Sequence, residues 1–458
     1  MRKNFKEYNQ NEQYLFPPSL HDWLPEGHLA YFISEMVEEM DLSEIYKEYR
    51  EELGQPPYSP LMMVKIWLYA FSQGIRSSRR VEKALHEDIG FRVISGNQYP
   101  DHWTINQFRS RHHKALGNLF FQSIKLAGKC GLVKLGHVAI DGTKIKGHAS
   151  RHSAMSYGRM IEEEKRLKEE IDKYFKESVE IDKEEDKKHG KKSRNELPDE
   201  IKLKSKRLKA IIGAKKALEK EAKEKAKIEQ EKRKEEAEKE GRNFKPRKDP
   251  DKAKPEDKAQ RNFTDSESRI MKSSEKAFIQ AYNAQAAVDG ETQIIVDAFV
   301  TNTADDKHSL PPLIEGTIDN TGKIPPEVSA DTGYYSEENL RVLKDKNIET
   351  FIPPEKVTHK EWRNMDNLPA DTIPENTTQK DLMRRNMRIK LRTEHGKKRY
   401  KLRMTSIEPV FGQIKEGRGL RQFLLRGLDK VNSLWRIDCA VHNLLKIFRA
   451  KRRLQPAM

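Results

Sequence analysis

Residues 137–148 read HVAIDGTKIKGH. Val138, Ala139 and Ile140 make a short apolar run with strand character. Asp141 and Gly142 follow, then Thr143, Lys144 and Lys146. Asp-Gly is a common hairpin dipeptide, so one reading is a turn. The other is a metal-ligating carboxylate held at a strand end, with cations placed beyond it for phosphate. Asp141 alone leaves both readings open, and its partners must come from elsewhere in the chain.

Downstream, KAFIQAYNAQAAVDG and ETQIIVDAFVTN are strand-like runs joined at Asp289-Gly290, a hairpin signal. DDKHSLPPLIEGTI reads as a helix, with Asp305 and Asp306 as its caps rather than metal ligands. EVSADTGYYSEENLRVLKDKN gives a strand ending at Asp331, a turn, and a helix capped by Ser336. IETFIPP is a further strand, and the last segment is helical and ends in a cationic tail, a candidate for gripping DNA. With strand 138–141 in front, the order is β-β-β-α-β-α-β-α. A mixed sheet with helices on both faces is the expected packing, and that order matches an RNase H-like α/β fold.

Upstream, residues 1–130 read as an all-helical domain. Ser59 and Pro60 open one helix, and Thr104 is the expected cap of another, which carries Arg109 and Arg111. Short helices closing on a basic one resemble a helix-turn-helix arrangement, so these arginines are candidate DNA contacts. Between the first strand and the rest of the sheet lies a Lys/Glu-rich stretch, 158–262. Met160, Leu167 and Tyr174 recur at sevens, and Ile201, Leu208 and Lys215 repeat the spacing. Two long helices in an antiparallel, coiled-coil-like hairpin are expected, followed by a flexible basic linker. The sheet domain is then 131–157 joined to 263–450.

The 458 residues carry a formal charge of +16. That excess favours polyanions, nucleic acid above all. No apolar run reaches about 18 residues, which excludes a spanning helix. MRKNFKEYNQNEQ lacks an apolar signal region. Two cysteines, Cys130 and Cys439, make neither a disulfide framework nor a cysteine zinc site. A cytoplasmic protein is expected.

Asp141 and Asp331 both follow apolar runs and precede glycine-containing turns. A mixed sheet can place two such strands side by side and hold both carboxylates at one edge. Glu408, in SIEPVFGQIK, is the best third carboxylate. Lys415 lies two turns on, close to the same helical face, and Tyr400 and Arg403 precede it. Three acids can hold two Mg²⁺ ions, with Mn²⁺ as a substitute, for in-line chemistry at a phosphodiester. His148 and His152 have helical i, i+4 spacing but no further ligand pair, so they read as DNA or solvent contacts. Trp362 is a candidate base-stacking residue, with burial as the alternative, and Tyr334 and Tyr335 either touch DNA or pack.

These motifs resemble bacterial insertion-sequence DDE transposases. PYSPLMMVKIWLYAFSQGIRSSRRVEKALHEDIGFRVISG and TINQFRSRH resemble the N-terminal domain of one large group of them. VAIDGTKIKGHAS, RIMKSSEKAFIQAYNAQAAVD, VSADTGYYSEENL and EPVFGQIKEGRGLRQFLLRG resemble the catalytic part, in the right order. The resemblance implies Asp141, Asp331 and Glu408 as the acids, and a Tyr-Arg-Glu-Lys signature at Tyr400, Arg403, Glu408 and Lys415. Four residues separate Arg403 from Glu408 where the usual pattern has three. It implies that Arg403 and Lys415 grip phosphates near the cleaved end. The expected activity is binding of the element's terminal inverted repeats, metal-dependent strand cleavage and transfer into target DNA. A homodimer is expected to pair the two ends, nucleoid-associated when on DNA. The rival readings are a catalytically inactive DNA-binding derivative and another RNase H-like nuclease.

Overall fold

The computed structural model describes residues 19–49, 56–150, 153–189, 199–239, 241–244, 249–273, 277–355 and 378–454. Trp362 and His152 lie outside these residues. Seven helices come first: α1 (Leu29–Glu38), α2 (Ser43–Tyr46), α3 (Pro60–Ser72), α4 (Ser78–Glu87), α5 (Ile89–Ser95), α6 (His102–Arg111) and α7 (His113–Lys129). α3 is buried almost all round, so it reads as a continuous apolar run rather than a stripe. Residues 78–95 form two helices and not one, because the Asp88 carboxylate caps the second by accepting from Phe91 N. The cap of α6 is Asp101, which accepts from Thr104 N at 2.8 Å, so Thr104 sits inside the helix.

The sheet elements are β1 (Val138–Lys146), then, beyond a helical insertion, β4 (Arg269–Lys272), β5 (Phe278–Asp289) and β6 (Ile295–Thr301). α10 (Leu310–Thr321), β7 (Glu327–Ala330), α11 (Glu337–Asp345) and β8 (Glu349–Phe351) follow. The chain closes with α12 (Gln379–Arg392), α13 (Glu394–Gly412) and α14 (Leu428–Leu454). Strand order is β6-β5-β1-β7-β8, with β4 also on β5. β1 is antiparallel to β5 and parallel to β7, and β7 is parallel to β8. Three antiparallel strands followed by two parallel ones form the sheet of an RNase H-like fold.

β1 departs from the expected strand 138–141. It runs on through Asp141-Gly142 to Lys146, paired with β5 throughout, so the dipeptide makes no turn. Gly142 is demanded by crowding: a Cβ there would lie 2.3 Å from Gln285 Nε2. At the far edge, α14 covers β6. Asn443 accepts from Ile295 N and donates to its carbonyl, and Asn432 accepts from Val300 N. Edge-strand groups that would otherwise seek another strand are thereby satisfied.

The insertion leaves the sheet through a small ribbon. β2 (Ala154–Ser156) pairs with β3 (Gln260–Asn262), and between them run α8 (Tyr157–His189) and α9 (Asp199–Lys239). Ion pairs from Lys215 to Glu164 and from Lys204 to Glu170 show the two helices to be antiparallel. Met160, Leu167, Ile211 and Leu218 form a core separate from the main one. The expected free linker is in part structured. Asp249 caps a turn at Pro250–Lys252, and Asp251 pairs with Lys227 of α9 at 2.9 Å.

Candidate active site

Register brings the first two acids together. β1 and β7 are parallel neighbours with Ile140 opposite Ala330. Asp141 and Asp331 are the next residues on each, on strands about 4.8 Å apart. Asp331 leaves the strand and caps the turn at Thr332–Tyr334, accepting from Gly333 N at 2.8 Å. It is at once a strand end and a cap.

The third acid comes from α13. Pro409, directly after Glu408, lacks the N–H that would reach Thr405 O. Gln293 Nε2 satisfies that carbonyl instead, at 2.9 Å. Arg403 joins the elements: its Nη1 donates to Asp141 Oδ2 at 2.6 Å and its Nη2 to Glu408 Oε1 at 3.4 Å. Its guanidinium also lies over the Tyr400 ring, 5.8 Å from the centroid. A π-helical turn, Gln413–Gly417, ends the helix. From it Lys415 Nζ donates to Thr143 Oγ1 at 3.1 Å. Thr143 is two residues beyond Asp141, so both occupy one face of β1. Tyr400, Arg403, Glu408 and Lys415 thus all come from one helix and its terminal turn, over one strand.

The electrostatics show an excess of negative charge. Burial pushes the Asp141 carboxyl up to about 7, against the pull of Arg403, and Asp331 and Asp306 add to the rise. Burial opposes the charge on Arg403, but Asp141, Tyr400, Asp331 and Glu408 outweigh it and raise its pKa. One guanidinium is shared by carboxylates that are all hard oxygen donors. That donor set fits divalent ions of the Mg²⁺ type.

The sheet's other face carries a network that the sequence reading missed. Asp306 makes no cap hydrogen bond. It takes Lys144 Nζ at 2.9 Å, Asn283 Nδ2 at 2.6 Å and Gln285 Nε2 at 2.8 Å. Tyr334, fully buried, donates its hydroxyl to Gln285 Oε1. Lys144, expected to meet phosphate, is therefore an internal partner of Asp306, while Tyr334 packs and does not face DNA. Asp305 does act as a cap, accepting from Lys307 N. The available signal was Asn283 and Gln285, two amides inside an apolar strand, since buried polar groups require partners.

The helical candidates fall apart from one another. Arg109 is only 4% exposed; it stacks on Trp67 and donates to Arg76 O and Asn106 Oδ1. It is a core residue and presents no surface for DNA, because α6 turns that face inward. Arg111 is on the surface and pairs with Glu48 at 2.9 Å. At the opposite end of β7, Glu327, Glu349 and His395 bring ligand atoms within 4.8 Å of one another. Arg399 and Lys390 already pair with these two glutamates.

Two family models match the chain: Transposase domain (DUF772) over residues 18–111 and Transposase DDE domain over residues 252–444. No curated protein and no solved structure matches it. The second match begins at residue 252, after the two insertion helices, so β1 and Asp141 lie outside it. The pairing of β1 with β5 and β7 is what ties Asp141 to the matched region.

Proposed function

This chain belongs to the insertion-sequence DDE transposases, and we propose that it binds the terminal inverted repeats of its element, cuts there and joins the freed ends to target DNA. The observation that carries this is the meeting of Asp141 and Asp331 on adjacent parallel strands, with Glu408 linked to Asp141 through Arg403. Asp141, Asp331 and Glu408 would hold two divalent ions, Mg²⁺ or Mn²⁺. When bound, such ions activate an attacking oxygen and stabilise a leaving one in in-line phosphoryl chemistry.

The chain's own residues position the DNA. Arg403 bridges Asp141 and Glu408; a guanidinium released from them suits bidentate grip of a phosphate. Lys415 supplies a point charge beside Thr143, and Tyr400 supports Arg403 through its ring. Two element ends require two active sites, so a homodimer on DNA is part of the proposal, as is action in the cytoplasm on nucleoid DNA. Among the described residues no helix is long and apolar enough to cross a membrane.

The test is cleavage of DNA carrying the element's ends, with Mg²⁺ or Mn²⁺, by the wild type and by D141N, D331N and E408Q. Each variant should lose at least about 100-fold in rate, since metal stabilisation of the transition state is worth several kcal/mol. End binding without metal should persist. Unchanged cutting by any one variant removes that residue from the site; binding without cutting by the wild type favours an inactive derivative.

A further inference from the structure

A cavity of about 600 Å³ lies behind the helix that carries Glu408. Ser72 lines it from the end of α3, Gln413 and Arg418 from the π-helical turn and just beyond it, and Phe448, Arg449 and Arg452 from α14. Lys415 reaches forward to Thr143 while Gln413, two residues earlier, turns to the cavity. The space thus backs onto the proposed catalytic helix, at the seam between the N-terminal helices and the sheet. Among the described residues lining it, none is acidic.

Arg418 is the informative side chain. It is 8% exposed, and its Nε and Nη2 are buried without a hydrogen-bond partner. Asp438, whose charge acts on it, is already paired with Arg76. The backbone of Arg418 is held from the other side. Arg76 donates to its carbonyl oxygen, and Gly74 approaches so closely that a Cβ there would lie 2.9 Å from that oxygen. A buried guanidinium with unmet donors costs free energy unless an acceptor reaches it. Burial lowers its pKa to about 10, so it remains charged at neutral pH. Arg449 and Arg452 are exposed and add two cations at the opening. Arg452 lies over the Phe448 ring, 5.6 Å from its centroid, which orients it.

We propose that this cavity is a phosphate subsite that takes a backbone phosphate of the bound DNA, with Arg418 as its inner donor and Arg449 and Arg452 as its outer cations. Guanidinium forks match the paired oxygens of a phosphodiester, and the net charge of +16 favours a polyanion over a lone ion. The assignment rests on the DNA-binding reading above. It adds a contact on the far side of the helix from the acids, so bound DNA would brace that helix against the N-terminal helices.

The experiment uses the full chain as wild type, R418Q and the double variant R449Q/R452Q, each checked for folding by circular dichroism. Binding of a duplex of about 40 base pairs is measured without divalent metal over a range of KCl. One lost phosphate contact should lower the slope of log affinity against log salt by about 0.9. Affinity at about 0.1 M salt should fall roughly tenfold in each variant. In parallel, millimolar inorganic phosphate should raise the thermal midpoint of the wild type and of neither variant. The exposed pair keeps the proposal falsifiable if R418Q does not fold. Unchanged DNA affinity and slope in the folded variants overturn the proposal. Loss of the phosphate effect alone, with DNA binding intact, overturns the assignment to DNA in favour of a free anion. A wild type that binds no DNA, yet still responds to phosphate, overturns the DNA reading and this assignment while leaving the cavity's affinity for phosphate as a separate result.

Discussion

Asp141 couples the site to proton concentration. Its folded pKa of about 7 lies above the ordinary carboxyl value of 3.8. A raised acid stabilises the fold while it is protonated, and that stability is lost as pH rises through the folded pKa. The metal-free protein should therefore lose stability between about pH 4 and pH 7, at up to about 1.4 kcal/mol per pH unit from this group. D141N cannot ionise, so its urea midpoint should change less over that window and exceed the wild type's at about pH 8. Mg²⁺ should restore the wild type at that pH and leave the variant unmoved. Equal pH profiles for the two proteins would show that Asp141 does not carry the shift.

Among the elements, the long hairpin is the most separable. Its apolar cluster is its own, and it joins the sheet through a ribbon in which Ser156 stands opposite Gln260. Arg261 and Arg269 tie Glu221 of α9 to the ribbon and to β4, but partly exposed pairs of this kind contribute about 1 kcal/mol or less each. Replacing residues 157–259 by Asn-Gly should close the ribbon as a two-residue hairpin. The shortened protein should keep a cooperative unfolding transition with a midpoint within a few degrees of the parent. Loss of that transition would mean that the hairpin is part of the main fold.

For the whole molecule, the seam between the N-terminal helices and the sheet depends on Arg76 and Asp438. Asp438 is fully buried on α14, and Arg76 comes from the loop after α3. Removing one partner leaves a buried charge without compensation, at a cost of about 3–5 kcal/mol, whereas replacing both with apolar residues can be nearly neutral. R76M should therefore lower stability to urea by that order, and R76M/D438L should recover much of it. Equal losses in the two variants would place the cost in packing rather than in charge. The same seam holds the main-chain carbonyl of Arg418, so R76M should also weaken phosphate binding in the cavity.

The main element order, without the short strand β4, and the helical insertion were legible in the sequence because each is a local signal, an apolar run or a heptad. Asp141 and Asp331 stood out as carboxylates after apolar runs, while Glu408, the proposed third acid, comes from a helix. The Tyr-Arg-Glu-Lys spacing was equally visible, and α13 with its π turn carries all four residues to one strand. Other assignments depended on which groups met across the chain. Asp141-Gly142 looked like a turn, yet it continues a central strand because β5 pairs with it on one side and β7 takes up the other up to Ile140. Lys144 and Arg109 looked like DNA contacts, but Asp306 and Trp67 claim them. Periodicity and spacing act within about a turn of chain and so can be read along it. The pairing of a buried charge is a choice among groups hundreds of residues apart, and only the folded arrangement makes that choice.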